Sequence, residues 1–121
     1  MMLISLVQGQ ETEYLKYPEA HAQFQKAKNP LIIVVTTPTC NYCKKLKVEL
    51  SAIKKEYPAF VLCEVSPAEA TKLFSFLDLK QGVPQTFMYV YDNEKGITAR
   101  LKPTIIGFKP KADLYRAWGI K

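Results

Sequence analysis

The sequence predicts an α/β fold, a four- or five-stranded mixed sheet with helices on both faces. Three observations carry this. Leu31-Ile32-Ile33-Val34-Val35 runs through five aliphatic residues with no polar interruption, as a strand covered on both faces does. Residues 41–57 place Leu46, Leu50, Ile53 and Tyr57 at offsets of four, three and four, a single stripe along a helix. The order of elements is βα, βα, βα, then two strands and a helix. Its first half builds parallel crossovers and its second half adds an antiparallel hairpin.

Taken in order, Leu3–Val7 reads as a short edge strand. Glu19–Lys28 consists mostly of good helix formers and is stopped by Asn29-Pro30. The buried strand 31–35 follows. On the next helix, Lys44, Lys45, Lys47, Lys54 and Lys55 largely leave the apolar stripe clear, and Pro58 ends it. Phe60–Val65 is a second apolar strand, in which Cys63 sits among Val61, Leu62 and Val65 as a core residue. Ser66-Pro67-Ala68-Glu69 combines a capping serine, a proline at the first helical position and a glutamate three residues after the serine, which is a capping box. Leu73, Phe74, Phe76 and Leu77 are expected to form that helix's buried side. Gln85–Tyr91 reads as a strand and Asp92–Gly96 as a hairpin loop, with Gly96 suited to positive φ. A further strand falls between Ile97 and Phe108, broken by Pro103. Pro110–Trp118 closes the chain as a short helix with Leu114, Ala117 and Trp118 on one side.

The 121 residues amount to one domain, spanning 1–121, and 48% hydrophobic residues supply its core without disulfide staples. Seventeen Lys and Arg against eleven Asp and Glu leave a net charge of +6. The lysines are dispersed, and neither a basic tract nor an aromatic RNA-reading motif is present, so no nucleic-acid partner is expected. No stretch approaches the ~18 consecutive apolar residues that span a membrane. The apolar run at Met1–Val7 lacks a basic n-region and is short for an export signal, so a cytoplasmic, reducing setting is expected. A close cysteine pair in that setting points to redox chemistry or metal.

Cys40-Asn41-Tyr42-Cys43 stands where strand 31–35 gives way to the helix. At a helix N-terminus, unpaired N–H groups and the dipole stabilise a thiolate. Cys43 lies about one turn further on, within disulfide reach. This is the asymmetry that exchange needs, with Cys40 as exposed nucleophile and Cys43 as inward resolving thiol. Zinc is the other use of such a pair, but it wants four ligands, and only Cys63 and His21 remain, each in a different element. Iron–sulfur binding and a chemically inert pair are the further alternatives. His21 reads most simply as a surface helix residue.

These residues resemble the thioredoxin superfamily. Val83-Pro84 before a strand is similar to the family's cis-proline loop facing the dithiol, at the family's separation from Cys40. Gly107, followed by Leu114 on a last helix, resembles its closing strand–Gly–helix. The resemblance covers residues 31–118 and implies a thioredoxin-like fold and thiol–disulfide exchange. It further implies that Val83, Pro84, Thr39 and Tyr42 contact substrate, and that the Cys40–Cys43 disulfide serves in place of any cofactor or metal. The implied partners are protein disulfides and an electron donor, either a thioredoxin-reductase-type flavoenzyme or glutathione, with the protein a monomer. Thr39, Asn41-Tyr42 and Val34 stand where thioredoxins carry Trp, Gly-Pro and a buried Asp. Pro38-Thr39-Cys40, Tyr42-Cys43 and Val83-Pro84-Gln85 look more like glutaredoxins, although Gly107 precedes Phe108 where those have Gly-Gly and then Asp. A glutathione-dependent glutaredoxin and a binding module using the long 92–106 hairpin region are the alternative functions.

Overall fold

The computed structural model describes residues 14–92 and 98–120. The proposed strand Leu3–Val7 and the tip of the proposed hairpin loop lie outside the described residues. The elements are β1 (Tyr14–Leu15), α1 (Tyr17–Ala27), β2 (Leu31–Val35), α2 (Asn41–Glu56), β3 (Val61–Val65) and α3 (Pro67–Leu73). A 3-10 turn (Leu79–Gln81), β4 (Gln85–Asp92), β5 (Thr98–Leu101), β6 (Ile105–Ile106) and α4 (Lys111–Trp118) complete them.

The strands form one mixed sheet in the order β1-β3-β2-β4-β5, with β6 also paired to β4. β3 is parallel to both β1 and β2, whereas β4 runs antiparallel to β2, β5 and β6. Leu101 faces Tyr89 and Ile105 faces Thr86, so three residues, 102–104, oppose two on β4. Pro103 sits in that interruption, where a missing N–H costs no ladder bond. β5 and β6 thus make one broken edge, and the sheet has five positions.

Alternation along β2 feeds two cores. Leu31, Ile33 and Val35 pack with Ala20 and Phe24 of α1 and Ala70 of α3. Ile32 and Val34 pack with Leu46, Leu50 and Ile53 of α2 and Leu114 and Trp118 of α4. Helices therefore cover both faces, and all five residues of β2 are buried. Cys63 is buried in the first core.

The helix ends follow local chemistry. α1 stops where Lys28 turns left-handed at φ 61° before Asn29-Pro30. α3 starts on the full capping box of Ser66 and Glu69. It ends sooner than its apolar residues suggest, and Phe74 is its C-cap. Consequently Leu73 and Phe76 are exposed rather than buried, while Phe74 is buried and Leu77 is half-buried. On α4, Ala117 also faces solvent, and Leu114 and Trp118, four residues apart, carry the contact. His21 is half-buried and stacks on Tyr17, with ring centroids 5.4 Å apart.

Candidate functional site

The buried strand β2 delivers the chain to the end of the sheet, and Cys40 is the N-cap of α2. Its backbone is extended (φ −93°, ψ 113°), and the Cys43 N–H donates to its Sγ at 3.1 Å. The sulfur thus takes the position in which an oxygen side chain normally caps a helix, against the positive end of the dipole. The first turn holds no acidic residue to oppose this field.

Cys40 and Cys43 form a disulfide with Cα atoms 5.2 Å apart. Cys40 is half-buried, whereas Cys43 is only 2% exposed. The two thiols therefore differ in access in the sense the sequence suggested. The Val83–Pro84 bond is cis, and the Val83 carbonyl oxygen lies 3.9 Å from Cys40 Sγ. Cys40, Cys43 and Val83 are thus brought together across 43 residues of sequence. Thr39 and Tyr42 are exposed beside them, Tyr42 at 61%, with the Lys45 ammonium 5.0–6.0 Å class distance replaced by a measured 5.4 Å from its ring centroid.

The loop bearing Val83 is held from two sides. Gln85, 1% exposed, donates from Nε2 to the carbonyls of Asp78 (2.8 Å) and Gly82 (2.9 Å). The Gly107 N–H donates to the Pro84 carbonyl at 2.8 Å. Gly107 adopts φ +84°, a conformation that disfavours a side chain although the space around it is open. Sequence reasoning passed over Gln85. A polar side chain opening an otherwise apolar strand was the available signal.

It also passed over Glu64. Among the described residues lining one cavity of about 360 Å³ beside the dithiol are Cys43, Thr36, Lys47 and Glu64. Lys47 Nζ donates to both Glu64 oxygens, at 2.9 and 3.0 Å, and the Thr36 hydroxyl donates to Oε2. The Lys47 ammonium also lies 4.9 Å from the Tyr14 ring centroid, and the Tyr14 hydroxyl donates to the Lys47 carbonyl at 2.8 Å. Cys63 stands apart from this site, and burial, aided by the charges of Glu69 and Glu64, pushes its thiol from 9.0 up to about 12.

The family model for thioredoxin-like domains matches residues 17–119. The chain belongs to the thioredoxin-like family. No curated protein sequence matches it. Among solved structures, chloroplastic thioredoxin z is similar at TM-score 0.65 and 19% identity, covering 88% of this chain and 90% of that one. A thioredoxin from Thermus thermophilus gives TM-score 0.64 and 21% identity, covering 86% and 82%. The oxidized mitochondrial thioredoxin 3 of Saccharomyces cerevisiae gives 0.53 and 23%, covering 84% and 86%. At these identities the likeness is one of fold. A thioredoxin-like fold with a C-x-x-C pair at disulfide distance supports a thiol–disulfide oxidoreductase. Among the described residues, no helix is long and apolar enough to cross a membrane.

Proposed function

We propose that this protein reduces protein disulfides through the Cys40–Cys43 dithiol. The observation that carries the reading is the unequal access of the two sulfurs, with Cys40 half-buried at a helix N-cap and Cys43 buried behind it. Cys40 as thiolate attacks one sulfur of the substrate disulfide, and the other sulfur leaves as a thiolate that takes up a proton. Cys43 then attacks Cys40 in the mixed disulfide. The Cys40–Cys43 bond forms, the bond from Cys40 to substrate breaks, and the second substrate thiol departs. Two electrons pass from the dithiol to the substrate, so the chain's own cysteines carry the redox change and no cofactor is invoked. An extended substrate segment pairs with the Val83 main chain in strand-like fashion, and Thr39 and Tyr42 flank it. Backbone pairing of this kind gives affinity without strict sequence specificity. A reductase of this type works where thiols are kept reduced, and the cytoplasm is the proposed setting.

Insulin reduction driven by dithiothreitol tests the proposal. Catalysed precipitation of the insulin B chain that disappears in Cys40→Ser is the expected result. Precipitation no faster than with dithiothreitol alone overturns it and favours a binding module that retains the fold.

A further inference from the structure

If Cys43 is the resolving thiol, its proton must go somewhere. Only the thiolate attacks a disulfide efficiently, and Cys43 is 2% exposed. We propose that Glu64 accepts the proton of Cys43 through the cavity they share, with Lys47 and Thr36 holding its carboxylate in place. This rests on the exchange reading of the cysteine pair.

Placement follows from two periodicities. Side chains alternate along β3, so Glu64 shares its face with Leu62, the face covered by α2. In β2, Val34 is its register partner and contributes no polar group. Lys47 lies four residues after Cys43 on α2, hence on the same side of the helix and one turn along. The sheet therefore brings a carboxylate, and the helix an ammonium, to the cavity that Cys43 also lines.

The contacts fix the carboxylate without saturating it. Two donations from Lys47 and one from Thr36 occupy three of roughly four acceptor positions on an ionised carboxylate. The cavity, about 360 Å³, is large against the roughly 30 Å³ that one water occupies, so a water relay between sulfur and carboxylate fits.

The other charged groups at the cavity are less suited. Lys44 of α2 is exposed and cationic. Glu69 of α3 is exposed, and its Oε1 accepts the Ser66 N–H at 3.1 Å in the capping box. Tyr14 of β1 braces Lys47. Cys63 belongs to the core on the opposite face of the sheet. Glu64 is the carboxylate that remains. In the step proposed, the Cys43 proton passes by water to Glu64 as Cys43 attacks Cys40. The departing substrate thiolate is then protonated by Glu64 or by solvent.

The test is a stopped-flow reaction of the reduced protein with the aromatic disulfide dithiobis(nitrobenzoate). It releases one thionitrobenzoate when Cys40 attacks and a second when Cys43 resolves the adduct. General bases contribute typically about 10²–10⁴-fold. Glu64→Gln should therefore keep the first phase and slow the second by about 10²-fold near neutral pH. In the wild type, internal proton transfer makes the second phase nearly independent of pH around neutrality. In Glu64→Gln, hydroxide takes over and the rate rises about tenfold per pH unit. Glu64→Asp should restore the flat profile at a reduced rate, which a purely structural role for Glu64 does not produce. If Glu64→Gln does not fold, Glu64→Asp alone decides, by slowing the second phase and sparing the first. A second phase with wild-type rate and pH profile in these variants overturns the assignment of Glu64. A wild-type protein lacking the first phase overturns the exchange reading instead.

Discussion

Replacing Gln85 with methionine removes both hydrogen bonds from its side-chain amide while nearly preserving its volume. The bonds run to the Asp78 and Gly82 carbonyls, at 2.8 and 2.9 Å, from a side chain 1% exposed. Each such bond is worth about 0.5–1.5 kcal/mol net. A further penalty arises when an acceptor is left buried and unpaired, but Asp78 and Gly82 are exposed residues whose carbonyls can regain water. The expected loss is therefore about 1–2 kcal/mol, not the larger figure for two orphaned acceptors. For a chain of this size that lowers Tm by roughly 4–8 °C. Urea unfolding should show a lower midpoint at unchanged m, since no extra surface is exposed. Amide hydrogen exchange should quicken around residues 79–84, where the anchored loop carries Val83. Reduction of insulin should slow while alkylation of Cys40 by iodoacetamide stays the same, because the loop and not the thiol is perturbed. An unchanged urea midpoint, or exchange that stays slow in this loop, refutes the reasoning.

Cys63 gives a pH dependence whose sign is fixed by burial. Its thiol is raised from 9.0 to about 12 in the folded chain, so above pH 9.0 the unfolded state loses the proton first. Stability from this group is whole below that point and falls as pH rises toward about 12. Urea midpoints compared with Cys63→Val across that range should show a steeper alkaline decline in the wild type, and parallel curves contradict it. The electron donor is a separate expectation. Because Gly107 is followed by Phe108 and not by the second glycine and Asp of glutaredoxins, a thioredoxin-reductase-type flavoenzyme should outperform glutathione. Equal or faster turnover with glutathione alone reverses that order.

Local signals made much of the fold legible. Leu31–Val35 carries no polar residue, and its burial on both faces follows directly. Ser66, Pro67 and Glu69 sit within one turn, so their capping box needs no tertiary information. Cys40 and Cys43 are likewise close enough for spacing alone to pair them. What stayed hidden depends on register. Glu64 meets Lys47 and Thr36 from 17 and 28 residues away, and only the packing of β3 beside β2 and under α2 brings them together. A lone carboxylate in an apolar strand was visible, but not its partners. The exposure of Leu73 and Phe76 escaped for another reason. Apolar residues continue past the end of α3, and once the helix stops at Leu73 its periodicity no longer says which way they face. Gln85 combined both problems, since its acceptors lie in the irregular 78–82 segment.

The central claim is the division of labour between Cys40 and Cys43, and trapping of substrate on single-cysteine variants tests it most directly. Each reduced variant is mixed with oxidised insulin, quenched, and resolved on a non-reducing gel. Cys43→Ser should accumulate a mixed disulfide with insulin, because Cys40 still attacks and nothing resolves the product. Cys40→Ser should trap little, because Cys43 is buried behind the helix tip. Equal trapping by the two variants, or trapping by Cys40→Ser alone, contradicts the account.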